Sequence, residues 1–188
     1  MKLLLDYIRH YVRLSQNEET VLTTSFKTKR YSKGNILINE GEVCEKLFFI
    51  LKGTCRTAHD HPLKEVTTWI YPEGYFLTAW SSFIMGSPSL EMIQVLEDDS
   101  EVAFITKPTL NQLYEEHRTI ERFGRLLAEE QLALMDDYSR GYSLMSAKEK
   151  YETLLSFFPD VIQRVNLGYV ASMLGITQET LSRIRRQD

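Results

Sequence analysis

The middle of the chain, residues 26–106, alternates short apolar runs with turn-forming residues, and this pattern constrains the fold more than any other feature. Runs rich in Val, Ile, Phe, Tyr, Trp and Thr are separated by Gly, Pro, Asn and Asp. Many short strands at regular spacing predict an antiparallel sandwich, roll or barrel. The expected strands are Asn35–Ile38, Lys46–Leu51, Thr54–Ala58, Glu65–Tyr71, Met92–Leu96 and Glu101–Thr106.

Both flanks of this segment have helical periodicity. Residues 2–25 are expected to form helices, and Ser15 with Glu18 makes a capping box for the second of them. Pro108 opens a helical region that continues along the rest of the sequence. Apolar spacing predicts a helix of about 35 Å over residues 120–142, long enough to join two domains or to pair with a second copy. Its apolar face consists of Ile120, Phe123, Leu127, Leu134 and Tyr138.

The composition excludes several classes of protein. Of the 188 residues, 43% are hydrophobic and 26% are charged, which excludes a disordered or collagen-like chain. No apolar run approaches the length of a membrane span, and Asp6, Arg9 and His10 interrupt a start that resembles a signal peptide. The two cysteines, Cys44 and Cys55, form no C-x-x-C motif. We therefore expect a cytoplasmic protein with reduced thiols and no iron–sulfur cluster.

Residues 166–186 have the pattern of two short helices joined by a tight turn. Ala171 is small where the helices would cross closely, and Gly175 can adopt the positive φ that a sharp turn needs. Thr177 is a good N-cap for the second helix. The apolar contacts between the helices would come from Val170, Leu174, Ile176, Leu181 and Ile184. This pattern predicts a helix-turn-helix.

The outer face of the second helix carries side chains that suit DNA. Arginine can bind guanine through two hydrogen bonds, glutamine can bind adenine, and glutamate can accept from cytosine. The predicted DNA-binding residues are Thr177, Gln178, Glu179, Ser182, Arg183, Arg185 and Arg186. Arg164 is a further candidate for a contact with the DNA backbone. The alternative interpretation is an ordinary helical hairpin with a solvated basic end.

The distribution of charge favours DNA binding. The whole chain has a net charge of −4, which by itself is not typical of a nucleic-acid binder. Residues 144–188 carry +1, which leaves −5 for the rest of the chain, and the arginines concentrate on the predicted recognition helix. This arrangement predicts weak binding to non-specific DNA and a strong dependence on the correct site.

Several motifs resemble those of the Crp/Fnr family of bacterial transcription regulators, and the resemblance covers essentially the whole chain. Glycine-marked turns of the family's β-roll have counterparts in Tyr31–Gly34, Glu40–Glu42, Leu47–Gly53 and Pro72–Phe76. The segment Leu174–Ile184 is similar to the family's recognition element. By this resemblance, base contacts fall on Gln178, Glu179 and Arg183.

The resemblance implies an α+β fold in three parts. A cyclic-nucleotide-binding-like antiparallel β-roll would span residues 1–118, a long dimerisation helix residues 119–144, and a helix-turn-helix domain residues 145–188. The last part would be winged-helix-like with a short or missing wing. The implied function is that of a homodimeric regulator, not an enzyme, that binds a near-palindromic operator in double-stranded DNA. RNA polymerase would be a further partner.

One departure from the family concerns the effector. Family members that bind cyclic nucleotides hold the cyclic phosphate with backbone amides and an arginine. In this sequence that arginine position falls near Leu90 and is followed by Glu91, and no arginine occurs between Thr57 and His117. A buried phosphate needs paired positive charge, so cyclic AMP is not expected to be the effector.

Aromatic and apolar residues lie near the position where the family binds its effector. They could line a pocket for an uncharged ligand, or they could simply fill the core of the roll. These residues are Tyr71, Tyr75, Phe76, Trp80 and Met92. No cofactor is expected.

A cupin-like metal site is the alternative to a regulator. His59 and His61 would point the same way from one strand, and Glu65 would join them. The competing interpretation is a hairpin tip, because Asp60 and Pro62 are turn-forming residues. Since the second cupin motif is absent, we expect no metal. No pairing of a nucleophile with a base indicates catalysis.

Overall fold

The β-rich segment forms two four-stranded sheets in the computed structural model, which describes residues 1–62 and 64–186. One sheet has the strand order β1-β8-β3-β6 and the other β2-β7-β4-β5, and neighbouring strands are antiparallel. The strands are β1 Lys27–Tyr31, β2 Ile36–Ile38, β3 Lys46–Lys52, β4 Cys55–His61, β5 Lys64–Tyr71, β6 Phe76–Leu77, β7 Met92–Val95 and β8 Ser100–Thr106. The predicted antiparallel roll and α+β class are confirmed.

Helices precede and follow the roll, and the short helix α3 lies between its strands β6 and β7. They are α1 Lys2–Arg9, α2 Gln16–Ser25, α3 Trp80–Met85, α4 Lys107–Glu116, α5 Arg118–Arg140, α6 Ala147–Phe157, α7 Val161–Arg164, α8 Leu167–Leu174 and α9 Gln178–Arg185. The predicted capping box of Ser15 and Glu18 starts α2, and Ser146 with Glu149 forms another at α6. Within the described ranges, none of the helices combines the length and apolar character that crossing a bilayer requires.

The roll contributes to two apolar clusters, one between its two sheets and one between a sheet and the helices. Between the sheets lies a cluster that includes Phe48, Ile50 and Ile93. The β1-β8-β3-β6 sheet also packs against the helices, where Phe49 and Phe76 meet in an edge-to-face contact 4.8 Å between ring centres. The predicted apolar face of α5 divides accordingly, because its first three residues are buried in this second cluster and its last two are not.

Both cysteines are buried as free thiols inside the roll. Burial raises the pKa of Cys55 to about 12, and the charge of Glu97 adds to this effect. The Cys44 thiol lies 3.2 Å from the Thr78 hydroxyl. A buried protonated thiol reacts slowly, so these residues have the character of core side chains.

The C-terminal helices share a third apolar cluster with the roll. Val170, Leu174 and Leu181 from α8 and α9 are buried in it, and so are Ile70 and Leu96 from the roll. The two regions therefore have one continuous core, which fixes the helix-turn-helix against the β2-β7-β4-β5 sheet.

Candidate nucleic-acid interface and effector region

Helices α8 and α9 form the predicted helix-turn-helix. Asn166 caps α8 by accepting a hydrogen bond from the Gly168 N–H at 2.7 Å. Gly175 ends α8 with a φ of 71°, a left-handed conformation that favours glycine. Thr177 caps α9 by accepting from the Thr180 N–H at 3.2 Å. The turn glycine and the second N-cap thus have their predicted roles.

The two helices bury the apolar residues that the sequence indicates. Val170, Leu174, Leu181 and Ile184 are buried, and Ile176 is half-buried at the turn. Burial of these residues on one side leaves the polar side of α9 facing outwards. This is the arrangement that a recognition helix requires.

The predicted DNA-binding residues lie together on the outer side of α9 and at its ends. Ser182 is half-buried, whereas the other six are exposed: Thr177, Gln178, Glu179, Arg183, Arg185 and Arg186. The amide nitrogen of Gln178 lies over Gly168, a residue with no side chain to displace it. Hydrogen bonds from its own N–H and from the Thr177 hydroxyl lower the pKa of Glu179, so this side chain is an ionised acceptor.

The arginines of α9 differ from most arginines of the described chain. Six arginines elsewhere form ion pairs with carboxylates: Arg9, Arg30, Arg56, Arg125, Arg140 and Arg164. Among the described residues, Arg183, Arg185 and Arg186 have no such partner. Their guanidinium groups are therefore available to an external anion such as a phosphate.

Arg56 connects the roll to the helix-turn-helix. Although it is only 2% exposed, its guanidinium donates to Gln94 at 2.8 Å, to Thr67 at 2.9 Å and to Glu65. The face of the guanidinium lies 3.7 Å from the centre of the Tyr169 ring on α8. This combination of hydrogen bonds and cation–π stacking compensates for the lost hydration of the charge.

Two more polar contacts fasten the same interface. The Thr67 N–H on β5 donates to the Ser172 hydroxyl on α8 at 3.0 Å. Arg164 pairs with Glu73 at 2.6 Å and with Glu97 at 2.9 Å, both of them residues of the roll. Asp160 lies 3.4 Å from the same guanidinium, so three carboxylates of its own chain engage Arg164. Its contact with the DNA backbone stays a prediction.

Trp69 on β5 lies where the roll, α5 and the C-terminal helices meet. Its ring stacks on Phe157 of α6 with 5.8 Å between centres, and it meets Tyr138 of α5 edge-on at 5.7 Å. Aromatic contacts of this kind favour a defined geometry. Trp69 thus links β5 to both α5 and α6.

The five residues predicted for an effector pocket lie in different parts of the roll. Phe76 is buried between the roll and the helices, where Trp80 also packs, whereas Tyr71 packs on the cluster between the sheets. Tyr75 is 38% exposed and Met92 is half-buried. None of the five lines the depression that β4, α3 and the segment before β7 form on the roll.

That depression has a volume of about 290 Å³ and contains a carboxylate. It is lined by His59, Ala79, Ser81, Ser82, Ser89, Leu90 and Glu91. Burial raises the pKa of Glu91, although hydrogen bonds from Thr68 and Thr57 and the charge of His59 oppose the shift. The lining supplies no guanidinium, and a phosphate placed here would meet the Glu91 side chain.

The candidate metal ligands lie on two different faces of the sheet. His59 and His61 flank Asp60 on β4, and Asp60 is paired directly with Glu65 on β5. Because strand side chains alternate, Glu65 points away from both histidines, towards Arg56. The described residues contain no group of three metal-ligating side chains. The expectation that Glu65 joins the histidines is therefore wrong, and the cupin-like alternative is not favoured.

Comparison with known proteins agrees with this architecture. Residues 28–117 match the family model of the cyclic nucleotide-binding domain. No curated protein is similar enough in sequence to be matched to the chain.

Solved structures match almost the whole fold. The catabolite activator protein of Thermus thermophilus is 16% identical over 96% of this chain and 85% of its own, with a TM-score of 0.60. FixK2 of Bradyrhizobium japonicum is 16% identical over 86% and 83%, with a TM-score of 0.70. A protein of Eubacterium rectale described as a Crp/Fnr-family regulator is 17% identical over 93% and 83%, with a TM-score of 0.64. The predicted resemblance to this family is confirmed in the fold.

Proposed function

We propose that this chain, which has the fold of the Crp/Fnr regulators and contains a cyclic nucleotide-binding domain, is a homodimeric transcription regulator that binds specific DNA. The observation that carries this proposal is the exposed face of α9. It presents three arginines without a carboxylate partner among the described residues, on a helix whose opposite side is buried. Such a helix can enter the major groove of DNA with its polar face towards the bases.

Within α9, different side chains have different roles. Arg183, Gln178 and Glu179 are the candidates for reading base edges, by forked hydrogen bonds to guanine or adenine and by acceptance from cytosine. Arg185 and Arg186 at the end of the helix are placed for phosphate contacts, which position the protein without carrying sequence information. The overall acidity of the chain keeps its affinity for unrelated sequences low.

Dimerisation is supported by the second half of α5. Its apolar side chains are unusually exposed for a helix of this length: Leu132 69%, Leu134 55%, Met135 57% and Tyr138 44%. A second copy of the helix would cover them around a two-fold axis. Two copies of α9 would then reach half-sites about 34 Å apart on a near-palindromic operator.

The effector is not cyclic AMP in this proposal. The depression of the roll places Glu91 where a cyclic phosphate would need positive charge, and Arg56 on the neighbouring strand is already engaged by Glu65 and Tyr169. Isothermal titration should detect no saturable binding of cyclic AMP. Micromolar binding would overturn this part. RNA polymerase remains the further partner that the family resemblance predicts.

The test of DNA binding begins with selection of bound sequences from random double-stranded DNA. On a selected site, Arg183→Ala is expected to cost about 1–3 kcal/mol and to relax the preference at one base position. Arg186→Ala should weaken binding to every sequence and flatten its dependence on salt. Arg30→Ala is the control, because it removes an arginine charge from β1, which belongs to the sheet that does not carry the helix-turn-helix. It should change neither the base preference nor the salt dependence of DNA binding. If neither Arg183→Ala nor Arg186→Ala differs from the wild type, α9 is not the recognition helix.

A further inference from the structure

An open groove between the N-terminal helices and the start of α5 is lined by three arginines. The groove has a volume of about 500 Å³. Arg118 and Arg122 lie one turn apart on α5, and Arg13 reaches the groove from the segment between α1 and α2. Tyr11, Val12 and Thr119 complete the lining. This groove is separate from the depression at Glu91.

These three arginines have no carboxylate partner among the described residues, unlike six of the other nine. Apart from the arginines of α9, they are the guanidinium groups left unpaired in the described chain. They lie in the part of the molecule that carries −5, where carboxylates are abundant. Arg118 and Arg122 are spaced i,i+4, so they repel each other along the helix. An anion between them would relieve this repulsion.

The walls of the groove are held by contacts that leave the guanidinium groups available. The Tyr11 hydroxyl donates to Glu130 on α5 at 2.7 Å, and Val12 is buried against the core, so the segment bearing Arg13 is fixed on α5. Glu18 lies beside Thr119. Burial alone would raise the pKa of Glu18, but hydrogen bonds from Ser15 and Thr119 and the charge of His117 lower it. Glu18 is therefore ionised, and its carboxylate accepts hydrogen bonds from Ser15.

The start of α5 also faces the groove, and the carboxylate of its first turn, Glu121, is not among the lining residues. Its N-cap residue, His117, provides no side-chain hydrogen bond to the first turn, and the partial positive charge of a helix N-terminus extends into that turn. Planar guanidinium groups bind phosphate oxygens through paired hydrogen bonds, and several of them suit an anion with more than one negative charge. The groove is large enough for a diphosphate group.

We propose that this groove binds a small multivalent anion of the phosphate-ester or polyphosphate class through Arg13, Arg118 and Arg122. The anion would join the segment after α1 to the first turn of α5. It would thereby strengthen the packing of the N-terminal helices on the helix that leads to the C-terminal region. The site does not depend on the proposed DNA binding by α9.

Inorganic pyrophosphate is the probe for this site. Isothermal titration of the full chain at low ionic strength should give saturable binding of one pyrophosphate per chain, and added salt should weaken it. The same ligand should raise the melting temperature, because it binds only the folded state. Arg118→Gln and Arg122→Gln should each weaken binding about tenfold or more, as loss of a charge-assisted hydrogen bond does.

Arg125→Gln is the matched control, because Arg125 lies on the same helix and already pairs with Glu129 at 2.5 Å. It should bind pyrophosphate like the wild type. Arg13→Gln tests the site from a different element, should the variants of α5 fold poorly by circular dichroism. The proposal is overturned if binding is not saturable, or if Arg125→Gln weakens it equally.

Variants of the α9 arginines show whether the anion binds in the groove or at α9. Arg183→Ala combined with Arg186→Ala should keep the affinity for pyrophosphate while losing the affinity for DNA. If pyrophosphate binding disappears in that variant and persists in Arg118→Gln, the anion binds at α9 and the groove is not its site. If Arg118→Gln lowers the affinity for DNA instead, the groove contacts nucleic acid and the proposal of a small ligand fails.

Discussion

At the scale of single residues, Arg56 shows how one buried charge can fix two parts of a chain together. Its guanidinium has lost its hydration and is held by Gln94, Thr67, Glu65 and the ring of Tyr169. Replacement by alanine would leave those groups without their partner. We expect Arg56→Ala to lower the free energy of unfolding by about 3 kcal/mol, measured by urea denaturation.

The control for Arg56 is an ion pair on the surface. Arg30 pairs with Glu101 at 2.9 Å, but the Arg30 side chain is 79% exposed, so Arg30→Ala should cost less than about 1 kcal/mol. Arg56→Lys keeps the charge and loses the planar fork, and its cost should lie between the two. Equal losses for Arg56→Ala and Arg30→Ala would contradict the role assigned to Arg56.

Glu91 should make the stability of the protein depend on pH with a sign opposite to that of most carboxylates. Because burial raises its pKa, the folded chain keeps a proton that the unfolded chain has already released. Stability therefore falls as pH rises from the ordinary glutamate pKa through the raised one. Glu91→Gln should raise the free energy of unfolding at neutral pH and leave it unchanged in acid, as urea titrations at several pH values would measure.

Glu149 is the matched carboxylate with the opposite shift. Hydrogen bonds from the Ser146 hydroxyl and N–H lower the pKa of Glu149. Its contribution is present above the ordinary pKa and is lost as pH falls through the lowered one. Glu149→Gln keeps the capping geometry but removes the negative charge that these hydrogen bonds stabilise. It should therefore lower the free energy of unfolding at neutral pH and leave it unchanged in strong acid. If both variants changed the free energy of unfolding at neutral pH in the same direction, the role assigned to Glu91 would be wrong.

At the scale of elements, the sequence predicted most strands because apolar and β-branched residues alternate with turns there. The predicted Met92–Leu96 corresponds to Met92–Val95, and the predicted helix over residues 120–142 corresponds to Arg118–Arg140. Strand β1 was missed because four of its five residues are exposed and its sequence, KTKRY, has no apolar alternation. Its pairing with β8 supplies the structure that its side chains do not indicate.

The turn of the helix-turn-helix tests the prediction from local chemistry most directly. Gly175 has a φ of 71°, and an added Cβ would meet no atom within 4 Å, so the cost of a side chain there is backbone strain alone. Gly175→Ala should lower the free energy of unfolding by about 1 kcal/mol or more. Asn tolerates this conformation better than alanine, so Gly175→Asn should cost less. Thermal denaturation measures both, and an equal cost would exclude strain at this turn as the cause.

The contact between the roll and the helix-turn-helix could not be predicted from sequence patterns. Thr67 and Ser172 are 105 residues apart, and no periodicity relates them. The one local signal is Arg56, a charged residue that lies among buried neighbours at the second position of β4. Likewise, the seven residues of the predicted DNA-binding face follow from the periodicity of α9, whereas the pairing of Arg164 with Glu73 depends on the tertiary fold.

At the scale of the whole molecule, α5 divides its apolar residues between two tasks. Ile120, Phe123 and Leu127 are buried against the roll of the same chain, whereas Leu134 and Met135 face outwards. A helix whose first half is fixed and whose second half is apolar and uncovered is suited to pair with another copy. Because Tyr138 also contacts Trp69 on β5, pairing of two such helices would act on the position of the helix-turn-helix.

Leu134→Glu is the substitution that tests this division. A charge on the uncovered half of α5 should oppose pairing without disturbing the fold, because Leu134 is 55% exposed in the single chain. Light scattering should then give the mass of one chain for the variant and of two chains for the wild type. Leu144 is apolar and 86% exposed, but it lies beyond α5, so Leu144→Glu is the matched control and should remain dimeric.

The Leu134→Glu variant should also lose at least about tenfold in affinity for a palindromic site, because the second half-site no longer binds intramolecularly. A dimeric Leu134→Glu variant would place the interface elsewhere on the molecule.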